Sequence, residues 1–500
     1  MSSVRSISIV SLSFFIQTVS SIIFYLIVAR KLPVQEVGAI TLFLSFGAIF
    51  MVAFALNLDT GFIHFISYLR GKTGKYSLPR FFLAITAIIM VISFATIASV
   101  SHLIALVFFH SSSYSAVVIL MGGYVSLSVG LSYMVSILQG IQSFRQAAVS
   151  NIFYSVLSLG IPIGMSFFKL PIEIISSGFV IGAGISFIFS TFFVVANRTP
   201  RMTLDRGFNT KFLAYVMPVY LGSLSSTLMG TVDRVILPAL TNLSLSAVYT
   251  YSLTIATVVT AITSPFSFFL FPKISQAFAS SRQTEAKEYS KASMELFYYL
   301  ALPVSLGATL LARPLLEVLV GGIYASHYMV LQIMVFSYSF FSFRPILSTI
   351  LLGNRKTKTY LYSGIAAFGA NLFLSLTMIP LLGIYGAVIA ILSAWVISTI
   401  PRMAAVGSLL NHSFSLIPYI RMWINAIIMV VAVFFSEEFF TFGDRSLIFP
   451  AFIGIVSYFT MSIVNKPFSG AARAVVSSIV GSSHPFIKRV LTFLTTTNEN

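Results

Sequence analysis

The chain has 500 residues, of which 57% are apolar and only 9% charged, and it contains no cysteine. Soluble proteins carry roughly 25% charged residues, so this composition excludes a water-soluble domain with a polar surface. The net charge of +17, from 30 Lys+Arg against 13 Asp+Glu, therefore reads as membrane topology rather than nucleic-acid binding, and the lack of cysteine removes disulfides and thiolate metal sites.

Apolar runs of 18 residues or more recur along the chain, as spanning helices require; barrel strands would alternate in pieces of ~10 residues. The predicted class is an all-α polytopic membrane protein. Fourteen spans are predicted near residues 6–29, 37–66, 81–108, 115–138, 147–168, 174–196, 212–237, 246–271, 294–312, 327–352, 360–382, 385–408, 420–436 and 447–465. The first run, of about 24 apolar residues, is longer than a signal-peptide core and is read as a retained span. The longest predicted loop, residues 272–293, reads as a short amphipathic cytoplasmic piece, and residues 409–419 suit the membrane interface. The PFIKRVLTF stretch near the C-terminus alternates basic and apolar residues, as a helix lying on the inner leaflet does.

Basic residues set the orientation. With the N-terminus in the cytoplasm, 23 Lys and Arg fall on the inner side, Arg402 and Arg421 among them. Only Arg30, Lys31, Lys169, Arg313 and Arg445 fall on the outer side. Both termini are therefore expected in the cytoplasm of a cell (plasma) membrane protein. Arg234 and Arg344 are left inside spans.

A faint internal repeat runs through the chain. ILQG at 137–140 returns as ILLG at 350–353, GFVIG at 178–182 as GAVIA at 386–390, and IP at 161–162 as IP at 379–380. The offsets, 213, 208 and 218, lie close together and the order is kept. This predicts two six-helix lobes, residues 1–200 and 201–410, then two further helices in 411–465 and a cytoplasmic amphipathic tail in 466–500. Six spans is an even number, so the lobes are parallel repeats about an axis along the membrane normal, expected to enclose a central cavity.

Five stretches carry a family resemblance: ARKLPVQEVGAITL at 29–42, LNLDTGFIHFIS at 56–67, LQGIQSFRQAAVSN at 138–151, TVDRVILPALTNLSLSAVYTYSL at 231–253 and FPKIS at 271–275. In series they resemble the polysaccharide (O-antigen type) flippases of the multidrug/oligosaccharidyl-lipid/polysaccharide exporter superfamily. The resemblance covers essentially the whole chain. It implies a flippase that moves a polyprenyl-diphosphate-linked glycan across the membrane by alternating access, with no cofactor beyond a possible proton or sodium gradient. Its implied partners are the lipid bilayer and glycan-assembly membrane proteins, with no nucleic acid.

The residues themselves yield a candidate site list. A charge at mid-bilayer costs ~2.5–3.5 kcal/mol, so charges in spans face a cavity or a partner. Asp233 and Arg234 stand just before Pro238, within roughly 10 Å of the outer end of the seventh span. As helix neighbours they point ~100° apart and each needs another partner. Arg344 lies about 14 Å deep in the tenth span, followed by Pro345, where a bent helix and a guanidinium fork suit a diphosphate. Asp59, roughly 16 Å from the inner face, is a candidate coupling residue or an arginine partner. Arg30 flanks the first outer turn. Gln17, Asn57, Gln139 and Asn371 are polar residues within spans, cavity lining or interhelical glue. Three alternatives stand beside this reading. A membrane glycosyltransferase or polymerase would need paired carboxylates or a metal motif, and neither pattern occurs. A cation-coupled multidrug exporter of the same fold would favour acidic sites over arginines, and a non-transporting scaffold is the remaining alternative.

Overall fold

The computed structural model describes residues 2–73, 80–197, 208–279, 282–354, 356–410, 415–439, 447–470 and 472–473. The PFIKRVLTF tail and the loop arginines Arg198, Arg201 and Arg206 lie outside the described residues. Secondary structure among the described residues is helical. The first half holds α1 (Ser2–Lys31), α2 (Val34–Ala55), α3 (Leu58–Thr73), α4 (Arg80–Ser99), α5 (Ser101–Phe108), α6 (Ser115–Gly140), α7 (Phe144–Phe167) and α8 (Ile172–Ala196). The second holds α9 (Phe208–Leu240), α10 (Leu243–Ala279), α11 (Gln283–Leu310), α12 (Ala312–Leu319), α13 (Gly322–Ala325), α14 (Tyr328–Phe341), α15 (Arg344–Gly353), α16 (Thr357–Leu382) and α17 (Ile384–Leu409). Helices α18 (Ile417–Phe439) and α19 (Ile448–Asn465) follow.

Eleven helical segments among the described residues are long and apolar enough to cross a membrane, twelve if the bent α11–α12 pair is one span. Beyond these, α1 and α9, of 30 and 33 residues, stand where the sequence places spans one and seven. The protein is a multi-pass membrane protein.

The repeat is legible element by element. Helices α2 and α10 begin at Val34 and Leu243, an offset of 209. Helix α4 stops at Ser99 and is followed by the eight-residue α5 from Ser101; α11 stops at Leu310 and is followed by the eight-residue α12 from Ala312, an offset of 211. Helix α6 spans 115–140 and the α14–α15 pair 328–353, an offset of 213 at both ends.

The repeated GFVIG and GAVIA motifs mark close helix crossings. A Cβ built on Gly182 of α8 would lie 2.6 Å from the Leu157 carbonyl of α7, and Gly178 meets Pro162 at 3.1 Å. In the second copy, a Cβ on Gly386 would lie 2.3 Å from the Met378 carbonyl. Small residues four apart let backbones touch, which replaces the hydrophobic drive that lipid cannot supply. Outward faces are apolar instead: Ile88, Val91 and Ile92 of α4 are about half exposed or more, as lipid contact requires.

Two sequence expectations are corrected, over residues 37–66 and 272–293. The predicted 37–66 span is broken: Leu56 and Asn57 take positive φ of 46° and 53° between α2 and α3. The 327–352 span stands as one segment, Tyr328–Gly353, with the expected interruption at Ser342–Phe343, where Pro345 cannot donate a backbone hydrogen bond to the preceding turn. Residues 272–293 are mostly helix rather than loop, because α10 runs to Ala279 and α11 starts at Gln283. The stretch after the ninth span is also helical, α12 turning 80° away from α11.

By contacts, the chain groups into two units, residues 1–250 with 372–387, and residues 251–371 with 388–500. This differs from the 1–200 and 201–410 halves of the repeat. In the first unit α6 packs against α3, α4 and α8, and α7 against α1 and α8. In the second, α11 packs on α14, α18 and α19, and a buried cluster joins Tyr299, Leu302, Ile346, Leu347, Met422, Met429 and Tyr458.

Candidate functional site

The first unit gathers acids and hydroxyls. Asp59 sits in the first turn of α3, just after the helix break, and its Oδ1 accepts the Thr60 N–H at 2.7 Å. Its Oδ2 accepts from Ser132 Oγ of α6 at 3.2 Å, and Asn57 Nδ2 donates to Thr60 Oγ1 at 2.9 Å. Thus Asp59 and Asn57 are brought together, and Asp59 takes hydroxyl and backbone donors rather than an arginine. One helical turn before Ser132, Ser128 shares a hydroxyl cluster with Tyr154 and Tyr124, at 3.1 and 3.0 Å. Broken backbone inside a span is tolerated where protein groups surround it, as these hydroxyls and the Thr60 N–H do here.

Asp233 is fully buried on α9, and the Tyr249 hydroxyl donates to its Oδ2, while Oδ1 has no partner. No ion pair joins Asp233 and Arg234 among the described residues. Arg234 is half-buried, and its Nε lacks a hydrogen-bond partner. Gln139 is half-buried in the last turn of α6, two turns beyond Ser132. Gln17 and Arg30 are exposed on α1, Arg30 in its last turn, where a cation favours the helix dipole. Asn371, on α16 in the second unit, is fully buried.

The second unit holds half-buried Arg344 and buried Arg402. Arg344 opens α15 directly after the helix break. Its guanidinium lies over the Trp395 ring of α17, 4.9 Å from the centroid, and its Nε is buried without a hydrogen-bond partner. Arg402, seven residues along α17 from Trp395, is only 7% exposed. Its Nε donates to Ser363 Oγ at 2.8 Å, its Nη1 donates to Ser348 Oγ at 3.1 Å, and its guanidinium lies over Tyr360, 4.8 Å from the centroid. Ser348 Oγ donates in turn to the Arg344 carbonyl at 3.2 Å, so the two arginines are joined through one serine.

Magnitudes separate the two. A desolvated cation–π contact contributes about 2 kcal/mol, and each hydrogen bond to a charged group about 1.5–3 kcal/mol. Arg402 has a ring and two hydroxyl partners, which offset its burial. Arg344 has a ring and an unmet donor, so an anion there would gain the most. Ion pairs such as Arg282–Glu285 at 3.4 Å and Arg313–Glu317 at 3.1 Å lie at helix starts; among the described residues neither Arg344 nor Arg402 is in one. No group of three or more His, Asp or Glu able to hold a metal occurs among the described residues.

Arg402 is the residue of this network that the sequence does not single out, since it is counted there with the inner-face bases. The usable signal was its position after Pro401 within an otherwise apolar run that also contains one of only two tryptophans.

Residues 76–469 match the family model described as "Lipid II flippase MurJ". A curated relative, an uncharacterized membrane protein of Methanocaldococcus jannaschii, is 24% identical over 492 residues, covering 92% of this chain and 94% of that one. The fold is similar to a solved Lipid II flippase MurJ in an inward closed conformation, with a TM-score of 0.74 at 16% identity over 91% of this chain and 98% of that one. It is also similar to an inward-facing multidrug resistance MATE family transporter of the MOP superfamily, with a TM-score of 0.62 at 15% identity over 80% and 96%. The flippase reading of the sequence agrees with this family model, whose description names the lipid II flippase. With a family-model match over residues 76–469, most of its length, the chain belongs to the MurJ flippase family.

Proposed function

We propose that this protein translocates a polyprenyl-diphosphate-linked glycan unit across the cell membrane by alternating access, with Arg344 binding the diphosphate. The observation that carries this reading is the state of Arg344. It opens a broken helix, its face stacks on Trp395, and it has no carboxylate among the described residues to neutralise it. A stacked guanidinium keeps its N–H edges free for a two-oxygen acceptor. A buried carboxylate partner would instead suit a cationic cargo, the drug-exporter alternative. The lipid tail stays in the bilayer while only the anionic head needs a polar passage. Both the lipid II named for the family and the polysaccharide unit implied by the sequence resemblance are candidates for the lipid-linked cargo.

The test is reconstitution in liposomes with a fluorescent polyprenyl-diphosphate sugar in one set and a cationic dye in another. Sugar-lipid movement that Arg344→Ala abolishes, with normal expression of the variant, supports the reading. Dye movement without sugar-lipid movement would overturn it.

A further inference from the structure

We propose that Ser342, Arg344, Thr399 and Arg402 form one subsite for a diphosphate, in which Arg402 supplies the second guanidinium. The proposal rests on the flippase reading only for the lipid tail; the anion follows from the geometry. Three buried polar groups in this part of the second unit lack hydrogen-bond partners: Ser342 Oγ, Arg344 Nε and Thr399 Oγ1. Thr399 lies between Trp395 and Arg402 on α17, four residues after one and three before the other, so all three share one helix face. Trp395 brings Arg344 to that face, and Ser348 ties Arg402 back to the backbone of Arg344.

The partners already made leave a defined remainder. Arg402 uses Nε and Nη1 on serines, so its Nη2 edge is uncommitted; Arg344 uses only its π face. Two cations that share no acid, with an orphan hydroxyl two residues before one and three residues before the other, match an anion of two or more charges and many acceptor oxygens. A monophosphate gives one guanidinium its fork; a diphosphate reaches both.

The repeat shows that the scaffold does not require these groups. In the first copy α6 runs unbroken through 129–133, and the matching stretch of α8, residues 189–194, is Phe-Ser-Thr-Phe-Phe-Val. There Phe189 stacks on Phe153 at 4.5 Å instead. The same architecture therefore closes with aromatic packing in one half and carries a broken helix with two arginines in the other.

The two tryptophans of the chain make the test direct. Trp423→Phe leaves Trp395, stacked on Arg344, as the single indole reporter. The full chain in nanodiscs is titrated with farnesyl diphosphate, farnesyl monophosphate, farnesol and inorganic diphosphate. Trp395 emission should respond to farnesyl diphosphate with an affinity at least on the order of tenfold above the monophosphate, and not to farnesol. Competition by inorganic diphosphate would show that the anion alone is recognised; a response to the lipid form alone would assign part of the affinity to the tail, and both support the subsite. Arg402→Ala should collapse the diphosphate preference to within about threefold, and Arg402→Lys, which keeps the charge and a donor, should retain part of it. No response to any phosphate, or a diphosphate preference unchanged in both Arg402 variants, overturns the proposal. Sugar-lipid flipping that survives such a result would leave the flippase reading intact, whereas diphosphate binding without flipping would sink that reading and spare the subsite.

Discussion

Trp395 is the most informative single position outside the cations themselves. It is 4% exposed, and its ring supports the Arg344 guanidinium at 4.9 Å. A desolvated contact of this kind contributes about 2 kcal/mol with tryptophan and less with phenylalanine. Trp395→Leu removes it, and Trp395→Phe keeps roughly half. Both changes also shrink a buried side chain, so the cation–π part has to be isolated by pairing each with Arg344→Gln. Denaturant unfolding in mixed micelles should then give a coupling of about 2 kcal/mol for the leucine cycle and about 1 kcal/mol for the phenylalanine cycle. Transport responds through a different quantity. Once unstacked, Arg344 has to be ordered by its cargo, at roughly 0.5–1.5 kcal/mol, so subsaturating transport should fall about twofold to tenfold, with leucine worse than phenylalanine. A coupling near zero in both cycles, or a leucine variant that transports as well as wild type, would refute the idea that the ring holds the guanidinium in place.

Three other outcomes are expected. Tyr249→Phe removes the hydroxyl that serves fully buried Asp233, whose other oxygen already lacks a partner, and should lower stability by about 1–3 kcal/mol, while adding Asp233→Leu should recover part of the loss. That recovery is read by melting the double variant, and a neutral Tyr249→Phe would show that the bond contributes little. Gly38→Ala would put a Cβ 1.9 Å from the Leu243 carbonyl and should sharply reduce folded yield, whereas Gly164→Ala on α7, with nothing within 4 Å, should be neutral or stabilising by up to about 1 kcal/mol. Size-exclusion profiles of the two variants decide between them. Asp59→Asn keeps the Ser132 and Thr60 contacts within reach while deleting the charge; if Asp59 couples transport to a proton or sodium, flipping driven by an imposed gradient should fall to its ungraded rate. Equal gradient response in wild type and variant would remove Asp59 from that role.

The sequence by itself determined the class and the placement of most apolar helices, because these depend on summed quantities. Transfer free energy accumulates over about twenty residues, so each apolar run declares itself whatever its neighbours are. GFVIG and GAVIA were readable as copies, and their meaning as backbone-to-backbone crossings agrees with the small residues they contain. Charges deep in spans were conspicuous for the same reason, and Arg344 and Asp59 were found that way.

What only the tertiary structure decided is where chains of contact close. Pro345 predicted a bend near Arg344, but the breaks at Leu56–Asn57 and Ser342–Phe343 are local unwindings that hydropathy averages away. Arg402 was hidden because positive charge near a span end is the ordinary signature of an inner loop; burial among Ser348, Ser363 and Tyr360 distinguishes it, and those residues lie 39 to 54 positions away. Asp233 finds Tyr249 and Arg344 finds Trp395 across helices for a comparable reason. Partition into the membrane is additive along the chain and so is written in one dimension. A partner for a buried charge is a matter of distance in three dimensions, and it is settled only when the helices have packed.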